Sequence, residues 1–340
     1  MKEGCEEAVF GENRQSERDL KPALRGRTDW EYSWSSAVAE AFAALPYDHL
    51  MDEELVRRLW EDGAGRDRQK IAVVRASDGA PVGVVPLRKR GKLSWQLLTQ
   101  YVMPYARFFV LPEYTDAALQ VLGQELDCDH VLFTRMPTRT WMLRPEESWV
   151  TKLEPTYEAL MKRTKYAAKD RQCRRNAAPL TLREDSFSDL PAALECWQQK
   201  WMSEGSPATA RRKNDLLLGY GVLAEQGRLK TFSLHDGETL AAMEVIMVGG
   251  GTLYAVLTMM RPEYRQNHPG IRAMLAALEW GCANGKQEYD MLSNFGHYKK
   301  HLAEPEVRGC RVVRSPLGLE ALGSAIESTK DFLWKLKHKD

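Results

Sequence analysis

The chain has few cysteines, no long apolar run and no excess of charge of either sign, and each shortage removes a class of protein. Its six cysteines among 340 residues (Cys5, Cys128, Cys173, Cys196, Cys282, Cys310) are widely scattered and form no Cys-x-x-Cys pair. Without an apolar leader near the start, they read as reduced thiols of a cytoplasmic protein. The apolar run Leu240 to Val248 is interrupted by Glu244 and followed by glycines. It falls well short of the roughly 20 residues that a membrane helix needs, so no membrane insertion is expected. Lys+Arg number 48 against 47 Asp+Glu, a formal charge of +1. No global field draws the protein to nucleic acid or an anionic membrane, and any such partner must be met by a local patch. A Gly-x-Ser-x-Gly elbow, a His-Glu-x-x-His pair, a Walker loop and a Rossmann glycine fingerprint are also missing. His297 and His301 stand four apart without an evident third ligand, so no metal is expected.

What is present reads as an α/β (α+β) chain of two lobes. Residues 1–25 mix acids, bases, Gly and Asn without apolar periodicity and are set aside as a solvated tail. A first lobe over 26–150 opens with helices at Ser36 to Leu45 and at Asp52 to Trp60, Asp52 capping the second. Strands at Lys70 to Arg75 and Pro81 to Leu87 flank an Asp78-Gly79 turn. Strand-like pieces follow at 94–100, 106–111 and 130–133, with a helix at 115–126. A second lobe over 151–315 begins with a helix from Tyr157 to Asn176 capped by Thr156, then helices at Leu190 to Met202 and Asn214 to Glu225. Strands at 228–234, 239–248 and 252–260 lead through Pro269-Gly270 into a helix carrying Ile271, Met274, Leu275, Leu278 and Cys282 on one face. A strand at Tyr289 to Leu292 follows. Residues 316–340 close the chain with an amphipathic helix at about 317–336.

Several residues suggest chemistry, each with a plainer alternative. The loop Arg265 to Gly270 precedes a helix whose free N–H groups and dipole suit a phosphate, with Gly270 allowing close approach and Arg265 and His268 adding charge and a donor. It equally reads as an ordinary strand-to-helix turn. By two-residue alternation Glu244 shares a strand face with Ala242, Ile246 and Val248. Desolvation there would raise its pKa and suit it to general-base work, whereas a salt bridge or an exposed sheet face would not. Asp290 stands at a strand end, either orienting a catalytic group or capping a turn. Arg163, Lys165, Lys169, Arg171, Arg174 and Arg175 load one helix with positive charge, which fits donor phosphates, a tRNA backbone or simply a solvated face.

The order of these elements resembles a known superfamily. Ala255 to Leu275, AVLTMMRPEYRQNHPGIRAML, looks like the strand, loop and helix that bind acyl-CoA in GNAT acetyltransferases. The spacing of Asp290, Tyr298 and Lys299, with Ile71 to Gly91 and the basic helix, is similar to the CelD/BcsL family, which is related to the FemAB aminoacyltransferases. The resemblance covers about residues 30 to 305. It implies two tandem GNAT-like lobes, each a mixed, mainly antiparallel sheet flanked by helices. It also implies acyl transfer by direct attack, from acetyl-CoA or another acyl-CoA to an amine or hydroxyl of a small molecule or saccharide precursor. Lys299 would stabilise the developing oxyanion, Tyr298 would contact the donor, Asp290 would orient Lys299 and Glu244 would act as base. Asn267, Gly270 and Arg272 align with Gln/Arg-x-x-Gly-x-Gly/Ala, with Ile271 between them, so only the first glycine survives. That erosion keeps open an aminoacyl-tRNA donor, as in the FemAB relatives, and a non-catalytic binding module.

Overall fold

The computed structural model describes residues 27–46, 50, 52–63, 69–89, 95–99, 102–104, 109–111, 114, 130–133, 142–201, 207–292 and 298–313. Three helix starts follow directly from their capping side chains: Ser35, Asp52 and Thr156 accept from the N–H groups of Val38, Leu55 and Ala159. They open α1 (Ser36–Ala44), α2 (Glu53–Glu61) and α3 (Tyr157–Arg163). The first sheet comprises β1 (Arg27–Glu31), β2 (Gln69–Arg75), β3 (Pro81–Lys89) and β4 (Trp95–Leu97) in that order, with β5 (Phe109–Val110) also paired to β3.

The second sheet is built from β6 (His130–Phe133), β7 (Met142–Lys152), β8 (Thr181–Glu184), β9 (Leu229–Asp236), β10 (Thr239–Gly249), β11 (Thr252–Met260), β12 (Glu288–Asp290) and β13 (Glu304–Val313). Their order is β6-β13-β7-β12-β11-β10-β9-β8. Within it β11 and β12 run parallel and the other pairs antiparallel. This is the mixed, mainly antiparallel arrangement expected. Between the strands lie α4 (Ala167–Asn176), α5 (Leu190–Trp201), α6 (Pro207–Glu225), α7 (Pro269–Ala283) and the short α8 (Lys299–Leu302). No helix among the described residues is long and apolar enough to cross a membrane.

The structure differs from the sequence expectations at identifiable places. The single helix expected from Tyr157 to Asn176 is two, α3 and α4. The Thr164 hydroxyl donates back to Leu160 O at 2.8 Å, Lys165 takes φ +56° and Tyr166 turns into the core. Helix α7 starts at Pro269 rather than Ile271, because a proline at the first helical position loses no hydrogen bond. Strands β1, β7, β8 and β13 were not foreseen. β7 contains Pro145, Glu146 and Glu147, which break apolar alternation, and its pairing with β12 and β13 holds it extended instead. It runs through residue 150, where the first lobe was expected to end, and with β6 it belongs to the second sheet. The tail at 1–25 and the helices expected at 115–126 and 317–336 lie outside the described residues.

Alternation along β10 separates two cores. Met243, Val245 and Met247 face one cluster with α5, α6, α1 and α2, while Ile246, and Ala241 at the register irregularity between Leu240 and Ala242, face the other with α3, α4 and α7. The first cluster runs unbroken from the first lobe into the second sheet. Two ion pairs cross the same junction. Arg88 of β3 pairs with Asp215 of α6, both buried, and Asp52 binds Arg228 and accepts from Gln226 at 3.2 Å. Gly219 of α6 lets the lobes meet closely, since a Cβ there would lie 2.3 and 2.8 Å from the two methyls of Val102. Gly219→Ala is therefore expected to cost about 1–3 kcal/mol by overpacking. Urea denaturation measures this, and an unchanged midpoint would show that the junction is loose.

Candidate active site

Strand β11 is paired to β12 only from Thr252 to Tyr254, opposite Glu288 to Asp290. It then continues from Ala255 to Met260 paired to β10 alone among the described residues. An irregularity in the register at Val245/Ile246 bends the β10–β11 pair just where β12 stops. Beyond the bulge, Thr258 and Met260 face the α7 side of the sheet, and Thr258 is exposed. Glu244 is directly opposite Thr258 in the register. A buried carboxylate thus adjoins a place where solvent reaches the sheet.

Glu244 is 1% exposed. Burial raises its pKa from 4.5 to about 7, against the pull of the Tyr289 hydrogen bond, the nearby Thr258 hydroxyl and the charge of Lys299. The Tyr289 hydroxyl donates to Oε1 at 2.5 Å, whereas Oε2 has no partner among the described residues. The group is a carboxylate of near-neutral proton affinity with one oxygen held and one free. Neither the salt bridge nor the exposed sheet face describes it.

The end of β12 supplies the second part. The Asp290 carboxylate accepts from the Ser148 hydroxyl of β7 and, at 2.8 Å, from the N–H of Leu292. Leu292 adopts φ +58°. For a leucine this left-handed backbone is disfavoured and needs support from its surroundings. Lys299 gives that support from the other side, its ammonium donating to Met291 O at 2.5 Å and Leu292 O at 3.3 Å. Asp290 is linked to Lys299 through the backbone between them and through its charge. Burial brings the Lys299 pKa down to about 8, opposed by Glu244 and Asp290. Among the described residues two of its three N–H donors are engaged. Tyr298 packs at the edge of the core, and burial, then Glu244 and Tyr166, hold its phenol protonated.

The residues expected to hold phosphate gather at the start of α7. A 3-10 turn over Pro262–Asn267 leads to His268 at φ +51°, which caps the helix without a side-chain bond. Proline follows, and the next two N–H groups, of Gly270 and Ile271, are left without the side-chain acceptor of a standard cap. A Cβ on Gly270 would meet Met260 at an ordinary 3.5 Å, so packing does not require that glycine. Arg272 is half-buried and its Nη1 has no hydrogen-bond partner. Burial and the neighbouring Arg174 lower its pKa. Burial, then Lys169, lowers that of His268. Arg265 is exposed. Asn267 is turned inward, donating to Asn176 O at 2.8 Å and tying α4 to the loop.

The basic helix divides in use. Arg163 pairs with Glu154. Arg174 is held by Asp170 and Glu279 and stacks on Tyr157, while Lys169 reaches Gln172 at 3.1 Å. Lys165, Arg171 and Arg175 are exposed. Met260 links the two halves of the site: it lies where a Cβ on Gly270 would meet it, and Thr258, beside Glu244, precedes it by two residues on the same strand face, roughly 7 Å away. Tyr289 and Ser148 were missed in the sequence. Tyr289 lies in the Glu288–Asp290 strand next to the residue singled out, but its partner is 45 positions away, and Ser148 lies in a strand with no apolar pattern.

An α+β chain of two sheets with a short parallel pair, a buried carboxylate and a helix N-terminus without a side-chain cap has an acyltransferase-like fold. Residues 161–300 match the acetyltransferase (GNAT) domain. The match takes in Glu244, the start of α7, Asp290 and Lys299. FemX is similar in fold, with 10% identity and a TM-score of 0.51 over 84% of this chain and 97% of FemX. A tandem GNAT protein from the clavulanic acid biosynthesis pathway has 12% identity and a TM-score of 0.48, over 85% of this chain and 98% of that one. The C-terminal domain of a putative lysylphosphatidylglycerol synthetase from Agrobacterium fabrum gives 12% and 0.48, over 86% and 96%. These likenesses concern the fold alone. No curated protein sequence matches this chain.

Proposed function

We propose that the chain is an enzyme that transfers an acyl group from an acyl-CoA to an amine or hydroxyl acceptor by direct attack, without a covalent enzyme intermediate. The observation that carries the reading is Glu244: a fully buried carboxylate with its proton affinity near neutrality and one oxygen free, next to solvent at Thr258. Such a group takes a proton from an attacking nucleophile at physiological pH. The thioester supplies the activated carbonyl. Lys299 holds positive charge and a donor beyond the two engaged among the described residues for the oxygen on which negative charge develops, and Tyr298 stays protonated to donate a hydrogen bond. Asp290 with Ser148 steadies the Leu292 turn that fixes Lys299.

The free N–H groups of Gly270 and Ile271, with Arg272, His268 and the exposed Arg265, fit the donor's phosphates. The small-molecule or saccharide-precursor acceptor and the narrower placement in the CelD/BcsL family rest on the Asp290, Tyr298 and Lys299 motif. Arg272→Gln is expected to weaken acetyl-CoA binding about 10- to 100-fold, the worth of one charge-assisted hydrogen bond. Calorimetry on the full chain measures it, and an unchanged Kd would move the phosphate end elsewhere. The exposed Lys165, Arg171 and Arg175 favour a second reading, an aminoacyl-tRNA donor. Binding of charged tRNA that falls steeply with salt, with no acetyl-CoA heat at all, would replace the first reading with this one.

A further inference from the structure

We propose that Tyr289 is the positioning residue of the base: its hydroxyl fixes one carboxylate oxygen of Glu244, so that the other is the one presented to the acceptor. The inference rests on Glu244 acting as base and adds a residue that no motif marks. Tyr289 is wholly buried in β12, reaches past β11 to β10, and donates to Oε1 at 2.5 Å. Oε2 of the same carboxylate is buried with no partner among the described residues. A carboxylate without such a tether would share its proton between two oxygens by rotating about its last torsion, which is broad and soft. With Oε1 engaged, the free oxygen keeps one direction. No other use for the phenol is evident, since an apolar phenylalanine would fill the same buried volume without requiring a partner.

Among the described residues the charged and titratable groups around Glu244 are few. Tyr289 approaches from β12, and Tyr298 and Lys299 from the start of α8, with Asp290 acting behind Lys299. Exposed Thr258 lies opposite on β11, and Phe232 is its register partner on β9. Burial and the carboxylate itself hold the Tyr289 phenol protonated, so it is a donor at every pH of interest. Its bond favours the ionised carboxylate, and removing it moves the Glu244 titration upward.

The test is Tyr289→Phe in the full chain, with Thr258→Val as a second variant. The carboxyl carbon of Glu244 is followed by 13C NMR, assigned by its disappearance in Glu244→Gln. Release of CoA from acetyl-CoA, with water or added amines as acceptor, is followed over pH. Tyr289→Phe is expected to shift the titration up by about one pH unit and to move the acid limb of kcat/KM with it. It should lower kcat about 10-fold or more at a pH where the base is ionised, while the thermal midpoint stays close to that of the unaltered chain. An unmoved titration in a folded Tyr289→Phe overturns the proposal, as does a shift matched by Thr258→Val with no effect on kcat. A shifted titration combined with full activity in Glu244→Gln leaves Tyr289 holding Glu244 but removes the base reading itself, so the two failures are distinguishable.

Discussion

Glu244→Gln is expected to lower the rate of acyl transfer about 10^2- to 10^4-fold, the usual worth of a general base, and at the same time to stabilise the protein above neutral pH. The second effect follows from the first group's burial. The carboxyl titrates at 4.5 unperturbed and at about 7 in the fold. Folded and unfolded chains are both protonated at Glu244 below the lower value. Between 4.5 and about 7 the unfolded chain ionises while the folded chain keeps the proton, so stability falls across that window and the loss is complete above it. By linkage the loss is about 3 kcal/mol once both states are ionised. Glutamine has the same shape, can still accept from Tyr289, and never ionises. It forgoes the attraction between Glu244 and Lys299, which offsets part of the gain. The variant should therefore match the unaltered chain below about pH 4 and exceed it by about 1–3 kcal/mol near pH 8. Thermal melts across pH and the rate of CoA release check the two halves separately. Loss of activity together with loss of stability at pH 8 would mean that Glu244 holds the fold.

Asp215→Ala is expected to cost about 3–5 kcal/mol, the largest stability loss among the substitutions considered. Arg88 and Asp215 are 7% and 3% exposed, so removing the carboxylate strands a guanidinium between the lobes. Water cannot reach it cheaply. The Gln69 amide, oriented to accept from Arg88 Nη2 at 3.3 Å and to donate to Trp60 O at 3.2 Å, holds only one corner of the group. Replacing both charges, Arg88→Met with Asp215→Leu, removes the stranded charge and should recover most of the loss. Urea denaturation of the single and double variants decides the matter. A single variant no less stable than a surface-pair mutant would show that the junction opens to solvent.

Much of the fold was legible because it is written in local chemistry. The caps at Asp52 and Thr156, the Asp78-Gly79 turn, and the strand-turn-strand of β9 and β10 with its Asp236-Gly237 corner depend on a few neighbouring residues. The break between α3 and α4 was harder, since nothing in the run of helix formers betrays that Tyr166 is needed in the core. β7 and β13 were illegible for a different reason: each is extended because the other is, and pairing across 154 to 171 residues leaves no periodic trace.

The same division holds for the site. The sequence alone determined which residues stand on one face with Glu244, that a helix begins beside Gly270, and that Asp290 and Lys299 bracket a strand end. Alternation and helix-start signals are short-range, and the chain cannot avoid displaying them. Only the tertiary structure decided that Glu244 is buried with its pKa near 7, that Tyr289 holds one of its oxygens, that Asn267 turns inward, and that Lys299 props a left-handed Leu292. Each of these depends on how much water is excluded and which distant group arrives in its place. Those are properties of the packed sheet and helices, not of any segment within them.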